Sequence, residues 1–191
     1  MKFLVTNIKY SIEQEDVDAY REDENIDDEV TDEEIVEEIK KSLPQHLIVE
    51  PDDDNDDLEE ALNNEISNAT GWCIETYVAT ELVEYVVSQL NNFMEFDAEF
   101  WMNEFGCDAE DIVNLYGFGY DAKNRLSYLS VDEYTLVPID LEEIALQIAP
   151  IHESDHDLTD AEIQKMRDLI LWIFDVSEAA ESAKTESKEE K

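Results

Sequence analysis

The chain has 191 residues, of which 52 are acidic and 12 are basic, so its formal net charge at pH 7 is −40. Hydrophobic residues make up 43% of it, including three tryptophans, eight tyrosines and seven phenylalanines. An acidic chain this rich in apolar residues is not a disordered polyanion, so most of it is expected to fold. It contains neither a signal peptide nor an apolar run able to span a bilayer, which predicts a cytoplasmic protein.

The first eighty residues predict a small module of strands and helices. Alternation of β-branched, aromatic and polar residues predicts a strand over residues 2–12. Residues 13–29 form an acidic run with little apolar content, which favours a loop. A capping box at Thr31–Glu34 predicts a helix that stops before Pro44, and Leu47–Val49 reads as a second strand.

The module is completed by a second helix and a third strand. The acidic run Asp52–Asp57 resembles a calcium loop, but its sixth position is not glycine and no glutamate follows in register. It therefore favours a solvated turn that caps the next helix. That helix is expected to run from Leu58 to about Ala69, burying both, with Gly71 at its C-terminal end and a strand over residues 72–78.

Residues 81–180 predict a mainly helical part with a short hairpin. A turn is expected at 117–119, and the hairpin strands at 126–129 and 134–137. Residues 181–191 are small and charged, which favours a disordered tail. The predicted helices begin near Thr80, Asp97, Asp108, Asp140 and Thr159. Together the two parts predict an α+β fold with a small antiparallel or mixed sheet, several packed helices and a highly acidic surface.

Asp97–Glu110 combines the two properties of the whole chain. Its aromatic residues alternate with carboxylates, so a short helix would bury Phe100, Trp101 and Phe105 and expose the acids. The stretch thus predicts an apolar core beneath a negative surface.

No metal or cofactor site is predicted. His152 and His156 are four residues apart, a zinc-like spacing on a helix, but Pro150 and the polar residues between them favour a loop. Cys73 and Cys107 are too far apart in sequence for a zinc motif, and burial is the default for free thiols.

Enzymatic activity is not expected. Paired carboxylates serve glycoside hydrolysis and two-metal nuclease chemistry, but with 52 acids every spacing occurs by chance. A nuclease also needs basic groups that hold phosphate, and this chain has few. The sequence therefore describes a class of partner rather than a reaction.

Imitation of nucleic acid explains the charge best. Duplex DNA carries one charge per about 1.7 Å of axis, so the roughly 40 Å length of a compact chain this size corresponds to about 24 phosphates. The net charge of −40 exceeds that number. Two alternatives stay open: an acidic interaction module with a non-defence target such as a transcription component, and a halophilic structural protein. Frequent isoleucine and an excess of lysine over arginine argue against the halophile.

Three segments resemble known acidic proteins. Residues 1–80, from the opening MKFLVTNI to ISNATGWC, look like small acidic proteins of bacteria and phages without an assigned activity. Asp56–Leu62, with Asn68 and Ala69, is similar to the acidic helix of the Ocr antirestriction proteins, and Val137–Ile144 to an acidic strand-to-helix step in the ArdA proteins. The resemblance implies a dimeric DNA mimic from a phage or mobile element that inhibits restriction or another defence enzyme.

The acidic surface predicted to bind a basic DNA-handling protein comprises Asp52, Asp53, Asp54, Asp56, Asp57, Glu59, Glu60, Asp97, Glu99, Glu104, Asp108, Glu110, Asp111, Glu142 and Glu143. Neither nucleic acid nor a membrane is an expected partner, because both are anionic. The apolar run Leu169–Phe174 wraps past a single helical stripe, which predicts a homodimer through residues near Trp172.

Overall fold

The computed structural model describes residues 1–27, 29–51, 57–120, 125–130, 133–137, 139–152 and 157–189. The chain consists of two compact units, residues 1–81 and 82–191. Each unit carries 26 acids, against five bases in the first and seven in the second, so their formal charges are −21 and −19. Each contains helices and a three-stranded antiparallel sheet, which confirms the predicted α+β class.

In the first unit, the part of the chain that the structure describes forms three helices and a three-stranded sheet of order β2-β1-β3. Both neighbours of the central strand run antiparallel to it. The strands at residues 2–12 and 47–49 are confirmed, and the third extends to Glu81. The elements are β1 (Phe3–Tyr10), α1 (Gln14–Asp23), α2 (Asp32–Ser42), β2 (Leu47–Val49), α3 (Leu58–Thr70) and β3 (Ile74–Glu81).

An irregularity in β1 decides which side chains enter the first core. Phe3 and Val5 are buried in one cluster, and strict alternation would then place Asn7 there. Asn7 instead adopts a left-handed φ of 52°, and the register to β3 shifts between Thr6 and Lys9. A bulge of this kind reverses the alternation, so Ile8 and Tyr10 join the same cluster.

Residues 13–29 are not the loop that the sequence predicted, because α1 occupies Gln14–Asp23. The backbone N–H of Glu13 donates to the carboxylate of Asp16 at 2.8 Å, which caps the first turn. Only one side chain of this helix is fully buried. Val17 is buried and packs with Ile35 and Ile39 of α2.

Three other expectations in the first unit need correction. Leu58, expected in the core, is 49% exposed at the start of α3, and Ala69 near its end is also exposed. The helix continues one residue further and ends at Gly71, whose φ of 77° confirms the predicted C-terminal glycine. Thr80 caps no helix because it lies in β3, paired with Leu4.

The described residues of the second unit form five helices and a sheet of order β4-β5-β6. The last two strands form the predicted hairpin, with Ser127 opposite Leu136. The elements are α4 (Leu82–Phe96), α5 (Ala98–Phe105), a 3-10 turn (Ala109–Asp111), α6 (Ile112–Tyr116), β4 (Phe118–Tyr120), β5 (Leu126–Ser130), β6 (Glu133–Leu136), α7 (Leu141–His152) and α8 (Asp160–Glu189).

The predicted turn at 117–119 is instead the start of an edge strand. Phe118 pairs with Tyr128 of β5 on one side. On the other side the amide of Asn91 in α4 accepts from Phe118 N–H at 2.8 Å and donates to its carbonyl at 2.9 Å. Asn91 therefore replaces a neighbouring strand. Gly117 is required just before β4, since a Cβ there would lie 2.1 Å from the carbonyl oxygen of Val113.

Both C-terminal helices run further than expected. His152 belongs to the last turn of α7 rather than to a loop, although Pro150 in that turn cannot donate a hydrogen bond. Ile151 is 3% exposed, and its burial holds the turn. Helix α8 continues beyond Ala180 to Glu189, through most of the expected disordered tail, because that segment is rich in Glu and Lys and contains neither Gly nor Pro.

Aromatic rings from several elements meet in the second core. Trp101 of α5 is fully buried and stacks on Phe105, with ring centroids 5.7 Å apart. Phe105 stacks on Tyr116 of α6 at 4.3 Å, and its edge meets Phe174 of α8 at 5.1 Å. The Phe174 ring also contacts Tyr128 of β5 at 4.7 Å, so this cluster joins three helices to the sheet.

Candidate interaction surface

The predicted acidic residues do not all lie on one element. Asp52, Asp53, Asp54 and Asp56 fall outside the described residues. Asp57, Glu59 and Glu60 are exposed at the start of α3 in the first unit. The carboxylate of Asp57 accepts from the backbone N–H groups of Glu59 and Glu60 at 3.1 and 3.2 Å, so it caps the helix.

The acids around α5 follow the predicted pattern. Glu99 and Glu104 are exposed on α5, while Trp101 between them is fully buried. The following segment, which packs against α5, also exposes its acids. These are Asp108, Glu110 and Asp111. Every acid of this stretch but one is thus exposed as expected, but of the three aromatic residues expected to be buried only Trp101 is, while Phe100 and Phe105 are half-buried.

The exception is Asp97, which is not part of a free acidic surface. Arg167 of α8 donates two hydrogen bonds to its carboxylate, at 2.6 and 2.9 Å. The Asp97 side chain is only 13% exposed. The same guanidinium lies 4.2 Å from the centre of the Phe100 ring. Arg167 therefore neutralises Asp97 and fastens α5 to α8, and its own pKa is raised by these hydrogen bonds.

At the start of α7, Glu142 is half-buried and Glu143 is exposed. The backbone N–H of Glu142 donates to Asp140 at 2.9 Å, which confirms the predicted cap. The predicted binding residues therefore occupy three places, one in the first unit and two in the second.

A large group of acids was missing from the predicted surface. Residues 13–38 contain 15 acids and one base, Arg21. Most of them belong to α1, α2 and the segment between these helices, which we call the α1–α2 hairpin, residues 13–42. The loop that the sequence predicted for residues 13–29 would give these acids no fixed positions. The two helices instead hold ten of the acids at fixed spacing.

The only base in that stretch is used inside the hairpin. The guanidinium of Arg21 donates to the carbonyls of Asp27 and Val30 at 3.0 and 2.9 Å, and to the carboxylate of Asp32 at 2.7 Å. Gln14 of α1 also donates to Asp32, at 3.1 Å. These bonds join two helices that otherwise repel each other.

The outer face of α2 carries a regular array of carboxylates. Glu33, Glu34, Glu37 and Glu38 are all exposed, while Ile35 between them is fully buried. Positions four apart on a helix lie one above the other, separated by about 6 Å of rise. The four side chains therefore form two parallel columns. We refer to these four glutamates as the α2 face.

The pKa shifts of Tyr20 and Asp32 are those expected in a strongly negative hairpin. Burial raises the pKa of the Tyr20 phenol, and the nearby charges of Glu38 and Glu24 raise it further. The pKa of Asp32 is lowered by hydrogen bonds from Arg21 and Gln14. A depressed carboxylate pKa contributes stability above the unfolded pKa and loses it as the pH falls through the folded value. The Arg21 contact therefore persists throughout the neutral range.

Other kinds of site find little support in the described part of the chain. Residues 153–156, which the sequence predicted to form a loop, lie outside the described residues. Among the described residues, no three metal-binding side chains come together. Cys73, expected to be buried, is exposed, and Cys107 is half-buried. No helix there is long and apolar enough to cross a membrane.

Comparison with protein-family models, with curated proteins and with solved structures finds no match to this chain.

Proposed function

We propose that the protein is a DNA-mimicking inhibitor that occupies the basic DNA-binding cleft of a nucleic-acid-handling enzyme, such as a restriction or other anti-phage defence enzyme. The observation that carries this proposal is the α1–α2 hairpin. Residues 13–38 of it contain 15 acids, ten of them on the two helices, and the single base among those residues, Arg21, is bonded within the hairpin. The proposed role requires a cytoplasmic location, because such enzymes work there.

The net charge destabilises the fold, which favours a functional reason for it. Like charges in a compact state repel one another, so a net charge of −40 lowers the stability of the fold. Solubility of a small domain needs a net charge of only about 2 to 8. A basic cleft that meets the α1–α2 hairpin would relieve this repulsion and gain charge pairs at the same time. Association should be fast and sensitive to salt.

Helix geometry suits a phosphate-binding cleft. The two columns of the α2 face present carboxylates at intervals of about 6 Å, and these oxygens accept the same hydrogen bonds from Arg and Lys as phosphate does. A cleft that binds DNA through its phosphates reads charge and spacing rather than base edges. A folded array of carboxylates can therefore compete for it without resembling a base pair.

Capture from a bacterial extract tests the proposal. The immobilised protein should retain DNA-binding proteins at about 50 mM salt, lose them by about 200 mM, and release them to added duplex DNA. The protein itself should bind no labelled oligonucleotide. The control is the same column carrying a variant in which the α2 face is replaced by glutamine.

Two results would refute it. One is tight binding of the protein to DNA. The other is retention of the captured proteins in saturating duplex DNA, which would favour an interaction module that binds outside any DNA cleft.

A further inference from the structure

A groove in the second unit runs between α7 and α8. Its volume is about 670 Å³, and Glu143 and Gln147 of α7 form one wall. The remaining lining comes from one face of α8. These residues are Ala161, Gln164, Lys165, Asp168, Leu169 and Trp172. They recur at the i, i+3, i+4 spacing of a helical stripe, which extends about 16 Å along the helix. We call them the α8 stripe.

The α8 stripe is covered incompletely by its own chain. The Trp172 side chain is 39% exposed, whereas Met166, Ile170 and Ile173 on the inner face of α8 are fully buried. This corrects part of the sequence prediction, because most of the run Leu169–Phe174 is buried within the unit. The most exposed apolar side chain of this run is Trp172, which lies at the end of the groove.

The charges of the stripe are mixed in a chain that is otherwise strongly acidic. Lys165 is exposed and pairs with no carboxylate in the described part of the chain. Asp168, one turn away, accepts a hydrogen bond from Gln164 at 2.8 Å. One ammonium and two carboxylates therefore line the groove. This balance makes the groove a place where two copies of the chain could meet with little local repulsion.

The stripe is also complementary to itself. A second copy of α8 laid antiparallel, with a two-fold axis between residues 166 and 167, brings Lys165 opposite Asp168 and Asp168 opposite Lys165. The same register sets the small side chain of Ala161 against the large one of Trp172, and Gln164 over Leu169. Closed two-fold contacts have this reciprocal form. A parallel arrangement would instead oppose Lys165 to its own copy.

We infer that two copies of the chain associate through the α8 stripe in this antiparallel register, with Trp172 of each copy seated beside Ala161 of the other. Helix packing of this kind uses a groove and regularly spaced anchors. Repulsion between two chains of net charge −40 opposes the contact at long range, and salt screens it. The dimer should therefore tighten as salt is raised, the reverse of the response expected for target binding.

Sedimentation of the full chain at low and high salt tests the inference. The wild type should be dimeric, with a dissociation constant that falls as salt rises. Trp172→Glu and Ala161→Trp should each raise that constant at least about tenfold, the first by removing the anchor and the second by filling its place. Both positions are exposed, and circular dichroism checks that each variant is folded.

A charge exchange tests the register itself. Lys165→Asp or Asp168→Lys alone should weaken the dimer about tenfold, because each creates facing like charges. The double variant should recover the wild-type constant within about threefold. Leu146→Glu is the matched control, since Leu146 is 44% exposed on α7 but does not line the groove, and it should leave the dimer intact.

Three outcomes would overturn the inference. They are a wild type that stays monomeric at both salt concentrations, a Trp172→Glu variant that dimerises like the wild type, and a double charge exchange that recovers nothing.

Discussion

Replacing Trp101 by alanine should lower the free energy of unfolding by about 3–5 kcal/mol, as expected for a large aromatic side chain removed from a packed core. Trp101 has no exposed surface, stacks on Phe105 at 5.7 Å and meets the edge of Phe100 at 4.8 Å. Its loss would leave a cavity in the aromatic cluster of the second unit. Urea unfolding followed by circular dichroism measures the change.

Two companion variants make this result specific. Phe96→Ala removes an aromatic side chain that is 63% exposed and should cost less than about 1 kcal/mol. Trp101→Phe should cost much less than Trp101→Ala, since the indole N–H has no acceptor within the described residues and no hydrogen bond is lost. If Trp101→Ala were no worse than Phe96→Ala, the described packing of α5 would be wrong.

Replacing the four glutamates of the α2 face with glutamine should weaken binding to the captured target by about tenfold or more. Each exposed charge pair contributes about 0.2–1 kcal/mol, so the four together account for that change. The same substitutions remove repulsion within the α1–α2 hairpin, but they also remove the Glu37–Lys40 ion pair at 3.1 Å and the carboxylate of Glu34 that accepts from Thr31 at 2.9 Å. The free energy of unfolding should therefore change by less than about 1 kcal/mol while the affinity falls. Titration calorimetry and urea unfolding measure the two quantities.

The matched control carries four glutamines on other elements, at Glu59, Glu60, Glu99 and Glu104, which are exposed and belong to the surface predicted from sequence. A smaller loss of affinity for this variant would assign the contact to the α2 face. If a single Trp172→Ala change abolished binding while the α2 variant bound normally, the target would be held by an apolar anchor instead of by charge.

The elements that sequence reasoning found are those whose signals are local. The strands at residues 2–12 and 47–49, the capping box at Thr31 and the stop at Gly71 each depend on a few neighbouring residues. The separation of aromatics and acids in Asp97–Glu110 is equally local, because helical spacing alone assigns each residue to a face. Such features survive folding because tertiary packing agrees with them.

Several of the misses have a common physical cause, since the deciding contact comes from elsewhere in the chain. Helix α1 has only one buried side chain, Val17, and depends on α2 for its core and on Arg21 for its connection. Strand β4 depends on the amide of Asn91, 27 residues earlier. No local pattern could assign Asp97 to Arg167, 70 residues away. The predicted site was incomplete for the same reason, since acids on a supposed loop had no fixed geometry to offer.

The most direct test of the central proposal is a competition titration with a purified target enzyme. Labelled duplex DNA is bound to the enzyme, and the protein is added while the anisotropy of the label is followed. The proposal predicts complete displacement of the DNA, with an apparent dissociation constant that rises linearly with DNA concentration and that increases between about 50 and 200 mM salt. A ternary complex, in which the protein binds the enzyme while the DNA stays in place, would contradict it.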